Sequence, residues 1–347
     1  MSATLSAIIS IQNKGASLSV DLFGGAITDF HSQGSINPLS FKISRQHIPA
    51  NDANDACWQG HFVCIGRWGP PSDGERKAGL PDHGQAANLL WNGQLTDKNS
   101  ITMQVDMPLE GLQIKRRLML DDENAVFKVT EQVTNTNPLG RLYNMVQHPT
   151  LATPFLTAST VVNCNAGTGF NYMHSTKPLQ HTAQWPYGIM EDMGKMNLSV
   201  PDKAYSSVFC FTIKKEEDLG WITAYAPENN LLIGYMWKRE DYAWINLWQH
   251  FDGDENRYHG LEFGTTGMHR SYQQIIAERN HRVFDEDTYK YIDAGETQSR
   301  GYMAFMCKTA PDFKGTGSVK LNNGEITITD AATTRSITIK TTLGNVF

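Results

Sequence analysis

Leu112-Gln113-Ile114-Lys115-Arg116-Arg117-Leu118-Met119-Leu120, then Asp121-Asp122-Glu123-Asn124, then Ala125-Val126-Phe127-Lys128-Val129, reads as two strands joined by a turn. Apolar side chains recur every second residue at Leu112 and Ile114, at Leu118 and Leu120, and at Phe127 and Val129. Successive side chains of a strand point to opposite faces, so this period buries one face of a sheet and leaves the other wet. The four acidic and amide residues between the runs are turn formers. The stretch predicts an antiparallel hairpin.

The same pattern extends outward in both directions. Alternation recurs at Leu18, Val20 and Leu22, at Ile101, Met103 and Val105, and at Ile326 and Ile328. Pro227-Glu228-Asn229-Asn230 separates residues 221–225 from 231–237, and Asn322-Asn323-Gly324 splits a C-terminal pair. Helical candidates are confined to residues 273–279 and 85–90, too few for a wound α/β domain. No fixed repeat points to a propeller or solenoid. The fold class is therefore all-β, built of large antiparallel sheets. One domain over residues 1–347 is expected, with residues 313–347 either further strands of it or a small appendage. The segment 46–90 is rich in Asn, Asp, Gly and Pro. It reads as too polar for core strands and too long for a plain connection, so it is expected to line a site.

The 347 residues carry 30 Lys and Arg against 36 Asp and Glu, a formal charge of -6. Such a chain buries roughly 75% of its unfolded surface and needs no disulfide or metal to fold. Its scattered basic residues lack the clustering that nucleic-acid binding demands, so a neutral small molecule is the expected partner. Cys57, Cys64, Cys164, Cys210 and Cys307 are irregularly spaced, without a Cys-x-x-Cys pair, and read as buried thiols. No apolar run approaches a membrane span and no signal-like N-terminus is present, so a cytoplasmic protein is expected.

Three groups suited to proton transfer sit in bends between these strands. His83 lies in Leu80-Pro81-Asp82-His83-Gly84, where Gly allows close approach of backbone and ligand. His148 precedes Pro149, which holds it extended at the end of a strand. Glu262 sits in His259-Gly260-Leu261-Glu262-Phe263-Gly264, its neighbours Leu261 and Phe263 on the opposite face and two glycines flanking it. Taken singly, each also reads as an ordinary surface residue. Together, two imidazoles and a carboxylate can move protons on and off a hydroxyl compound.

Arg67, among glycines, offers either hydrogen bonds to hydroxyls or a structural ion pair. Aromatic residues crowd the region after residue 220; core filling accounts for many, but Trp248, beside Gln249 and His250, is the preferred binding ring. The acidic run from Asp252 fails the calcium-loop pattern, with Arg257 at the sixth position and Phe263 at the twelfth. Zinc-protease, hydrolase-elbow and nucleotide-loop motifs do not occur. No metal is expected.

In order and rough spacing, the segment from Leu18 through Gly24-Gly25 to Phe30, then Arg67, Leu80-Pro81-Asp82-His83-Gly84, His148 and His259-Gly260-Leu261-Glu262 resemble the aldose 1-epimerase (galactose mutarotase-like) superfamily over about residues 5–310. The resemblance implies a β-supersandwich with a sugar bound in an open cleft. It also implies Glu262 as general base, His148 as general acid, His83 as a second active-site imidazole and Arg67 as a sugar-binding residue. Asp241 and Asp252 are the candidates it leaves for a sugar-orienting Asp, and no cofactor is implied. A non-catalytic carbohydrate-binding protein and a glycan-cleaving enzyme on a related sandwich are the alternatives. A monomer or homodimer is expected.

Overall fold

A computed structural model describes residues 8–43, 58–173, 180–200, 205–252 and 256–345. The hairpin that opened the reading is the pair Leu112–Leu120 and Val126–Asn135, joined across Asp121–Asn124 and held in antiparallel register from Leu112↔Asn135 to Leu120↔Phe127. It belongs to an eight-stranded sheet. The second large sheet has ten strands, and its centre runs His61–Ile65, Met145–Ala152, Asn256–Gly264, Trp244–Asp252, Ser206–Ile213.

The inner faces of the two sheets meet in one apolar core, where Ile114, Leu118, Phe127 and Val129 of one sheet join Val63, Met145, Leu261 and Phe263 of the other. Phe263 stacks on Trp237 with ring centroids 4.0 Å apart. Among the described residues, helix is limited to Asp73–Lys77, Tyr272–Ala277 and the 3-10 turns Ala86–Asn88 and Pro227–Asn229. None is long and apolar enough to cross a membrane. The helix at Asp73–Lys77 was not expected; Ser72 and Glu75 close a capping box at its start.

The break in alternation at Arg116 has a structural reason. Arg116 occupies the core-facing position between Ile114 and Leu118, fully buried, and its cross-strand partner is Glu131. Arg116 Nε donates to Glu131 Oε1 at 2.7 Å and Nη1 to the carbonyl of Gly25 at 2.8 Å. Glu131 Oε2 accepts from Gln147 Nε2 at 2.7 Å and from the Tyr242 hydroxyl at 3.1 Å. Gln147 Oε1 in turn lies 3.1 Å from His61 Nε2. A polar chain therefore crosses the core from one sheet to the other.

The segment 46–90 departs from expectation. Residues 44–57, including Cys57, lie outside the described residues, but His61–Ile65 is a wholly buried strand in the middle of the ten-stranded sheet. Five residues between Gly60 and Gly66 were hidden by the polar composition around them. At the other end, Thr316–Asn322, Glu325–Asp330 and Ser336–Lys340 form a three-stranded sheet of their own. Val319, Ile326, Ile328 and Ile339 cover Val126, Tyr225, Leu232 and Phe305 on the outer face of the eight-stranded sheet.

Replacing Glu131 by Ala would strand the Arg116 charge in the core, and a loss of about 3–5 kcal/mol in unfolding free energy is expected. Urea denaturation measures it, and the double change Glu131→Ala with Arg116→Met should recover most of the loss. A single variant within about 1 kcal/mol of the parent would show that the pair does not carry this role.

Candidate active site

Alternation places Gln147 in the core and His148 on the outer face of the ten-stranded sheet; Leu261 and Phe263 point inward and Glu262 outward in the same way. Phe62 pairs with His148, and Asn246 with Glu262. The register through Gln147↔Phe263 and Thr150↔Gly260 sets His148 opposite Glu262. Their side chains meet, with His148 Nε2 3.1 Å from Glu262 Oε2 and both almost completely buried. Phe62 stacks on the His148 ring at 4.2 Å and fixes its plane.

Gly260 makes room for this arrangement. A Cβ there would stand 2.9 Å from Glu262 Oε1 and 3.3 Å from Trp248 Cβ. Burial raises the Glu262 pKa well above the ordinary carboxylate value. Burial lowers that of His148, with His83, His61 and His269 adding to the effect. Both shifts favour the uncharged forms.

His83 reaches the site from its bend, with a left-handed backbone at φ 63°. Gly84 follows at φ 82°, where a Cβ would lie 2.0 Å from the Ile65 carbonyl oxygen. The His83 ring is 6.3 Å from that of His148, edge to face. Its Nε2 lies 3.2 Å from Nε2 of His269, a residue the sequence reading missed. His269 has no motif around it beyond its place just after the Glu262 strand. Burial brings His83 to about 4 and His269 to about 3, so both rings are neutral near pH 7.

Half-buried aromatic rings surround these groups. Trp58 packs on His83 at 4.9 Å, Tyr172 on His269 at 4.9 Å and Trp248 on His148 at 6.1 Å. The structure thus brings Trp248 to the cluster. His250 lies two residues farther along the strand, stacked on Tyr258 at 5.6 Å and 3.0 Å from Ser206 Oγ, at the margin. Most other aromatic residues after 220 fill space instead: Tyr235, Trp237 and Tyr242 in the core, Trp221 and Tyr225 under the C-terminal sheet.

Arg67 takes the structural alternative. Its two terminal nitrogens donate to the two oxygens of Glu75, each at 3.0 Å, and Nε faces Glu110 at 3.8 Å. Asp241 is not brought to Glu262. It lies in the crossing between the strands Leu231–Lys238 and Trp244–Asp252, which belong to different sheets, and lines a separate concavity of about 670 Å³ with Lys115, Lys238 and Arg300. Asp252 ends the Trp244–Asp252 strand, but its side chain lies outside the described residues.

No family model matches the chain, and no curated protein matches it by sequence. Solved structures do match it. A galactose mutarotase related enzyme from Lactobacillus acidophilus superposes with a TM-score of 0.64 at 12% identity, over 89% of this chain and 100% of the other. The Slr1438 protein of Synechocystis sp. PCC 6803 gives 0.62 at 16% identity, over 89% and 99%. A galactose mutarotase-like protein from Clostridium acetobutylicum gives 0.60 at 12%, over 88% and 96%. Similarity at this identity speaks to architecture alone: the chain has the fold of the galactose mutarotase-like structures.

Proposed function

We propose that the protein is a cofactor-independent carbohydrate epimerase that interconverts the anomers of a free sugar or a close derivative. The observation that carries this reading is the buried pair of Glu262 and His148, 3.1 Å apart, with the Phe62 and Trp248 rings packed on His148. The anomeric hydroxyl and the ring oxygen of an aldose are bonded to the same carbon, so a base and an acid 3.1 Å apart can reach both. With the pair's single proton on His148, Glu262 takes the proton from the anomeric hydroxyl while His148 gives its own to the ring oxygen. The bond from C1 to the ring oxygen breaks, C1 rotates, and closure on the other face returns both protons. Trp248 offers a flat apolar wall for a sugar ring, and His83 a neutral imidazole for a hydroxyl.

The second reading, a carbohydrate-binding protein without turnover, draws support from Arg67, whose terminal donors are held by Glu75 rather than turned to a ligand. A glycan hydrolase would need a second carboxylate about 5–10 Å from the first. Asp82 is turned to Arg76 at 3.8 Å and Asp241 faces another concavity, which argues against that reading.

Polarimetry of pure α-anomers of hexoses, pentoses and sugar phosphates tests the proposal. Anomer exchange should exceed the buffer rate, and Glu262→Gln should slow it by ~10²–10⁴-fold. If no sugar relaxes faster with the protein, the enzyme reading fails; calorimetric binding that survives Glu262→Gln would then support the second.

The pH profile follows from the coupled pair, which is competent when it holds one proton. A second proton would charge buried His148, so its uptake shifts below the ordinary imidazole value of 6.5. Loss of the shared proton leaves a buried carboxylate, so that step shifts well above 4.5. The value of kcat/KM should therefore persist as pH falls past 6.5 and decline on the alkaline side. An acid limb at the ordinary imidazole value would contradict this protonation scheme.

A further inference from the structure

Cys64, His83 and His148 come from three separate segments, yet one ligand atom of each lies within 4.8 Å of the others. Cys64 pairs with Val146 in the same two-strand register that sets Phe62 opposite His148, so its side chain shares the outer face with His148. His83 Nε2 is in hydrogen-bond contact with Nε2 of His269, while His148 Nε2 lies 3.1 Å from Glu262 Oε2 without hydrogen-bond geometry. Both Nδ1 atoms are buried and have no hydrogen-bond partner among the described residues. Buried polar atoms of native proteins are normally satisfied, and two such nitrogens beside a thiol call for a ligand.

We propose that Cys64, His83 and His148 bind a divalent ion of the zinc class through the thiolate and the two Nδ1 atoms, with Glu262 and His269 holding the rings from behind. One sulfur and two imidazoles suit zinc, while magnesium and calcium prefer oxygen. With bonds of about 2.3 Å to sulfur and 2.0–2.1 Å to nitrogen, tetrahedral donors stand about 3.5 Å apart. The 4.8 Å limit on the spacing of one donor atom from each residue exceeds that by about 1.3 Å, a change within reach of side-chain rotation. A carboxylate behind a ligating imidazole is the arrangement that fixes its tautomer and raises its basicity, and Glu262 Oε2, itself without a hydrogen-bond partner among the described residues, stands 3.1 Å from His148 Nε2. The thiolate and the Glu262 carboxylate together offset the two positive charges of the ion, which a buried site requires. Coordination releases the thiol proton. The fourth position falls to water or a bound hydroxyl.

Metal binding here needs only these donors, so it stands or falls separately from anomer exchange. The two uses compete for His148, and zinc should inhibit any epimerisation.

The full chain, stripped with chelator, is titrated with Co²⁺ and then Zn²⁺. One cobalt per chain is expected, with a thiolate-to-cobalt charge-transfer band and the visible bands of a tetrahedral ion, both displaced by zinc. Cys64→Ser should remove the charge-transfer band, and His83→Asn, in a half-buried bend, should weaken affinity by at least about tenfold. His269→Gln, which touches only the ring behind, should cost about tenfold. Circular dichroism confirms that each variant is folded. Absence of the thiolate band, or cobalt binding unchanged by all three substitutions, overturns the proposal. Polarimetry on the same stripped protein keeps the two readings apart, because sugar relaxation without cobalt binding sinks only the metal site and the reverse sinks only the epimerase.

Discussion

The hydrogen bonds of Gln147 inside the core are the constraint on which the site depends. Gln147 reaches Glu131 on the facing sheet and lies against His61 on the neighbouring strand. A strand that slips by one residue exchanges its two faces. Such a slip would put His148 among Phe263 and Tyr302 and turn Gln147 outward. The buried ion pair of Arg116 and Glu131 holds the other end of the lock, and the stacking of Phe263 on Trp237 does for the Glu262 strand what Gln147 does for the His148 strand. His148 and Glu262 on the outer face are therefore positioned by residues on the inner one, next in sequence and opposite in direction.

Burial then sets the electrostatics. Both terminal guanidinium nitrogens of Arg67 are held by Glu75, which is itself brought down to about 2 as that arginine hydrogen-bonds it against the opposing effect of burial. Glu262 instead faces a ring whose own charge is disfavoured. Two groups each poor at carrying charge alone share a proton readily, and a neutral polyhydroxyl ligand or a metal ion would redistribute that proton in opposite ways. The surrounding imidazoles His83 and His269, neutral near pH 7, extend this uncharged but strongly polar floor. The aromatic rings packed on these groups keep them out of water, which raises the weight of every polar contact among them.

Much of the architecture is legible from residue order because its signals are local. The alternation at Leu112–Leu120, the turn at Asp121–Asn124 and the Pro227–Asn230 break each act over a few residues, and the strands Leu219–Ala226 and Leu231–Lys238 end where the turn formers begin. The short helix Tyr272–Ala277 falls within a residue or two of its expected place. Longer averages mislead. The buried strand His61–Ile65 was diluted by its polar flanks, and Arg116 looked like a gap in a core pattern because its partner Glu131 is distant in sequence and adjacent only across the sheet.

The same division runs through the site. Sequence alone determined that the chain would be antiparallel β, that Glu262 would face away from Leu261 and Phe263, and that His83 would sit in a glycine-dependent bend, because strand alternation and backbone sterics act between neighbours. Tertiary structure alone decided that Cys64 and His269 would join His83 and His148, that Arg67 would spend its donors on Glu75, and that Asp241 would open onto another concavity. Those outcomes turn on which strands pair and on what the long-range register brings opposite, and proximity of that kind is a property of the folded chain rather than of any segment within it.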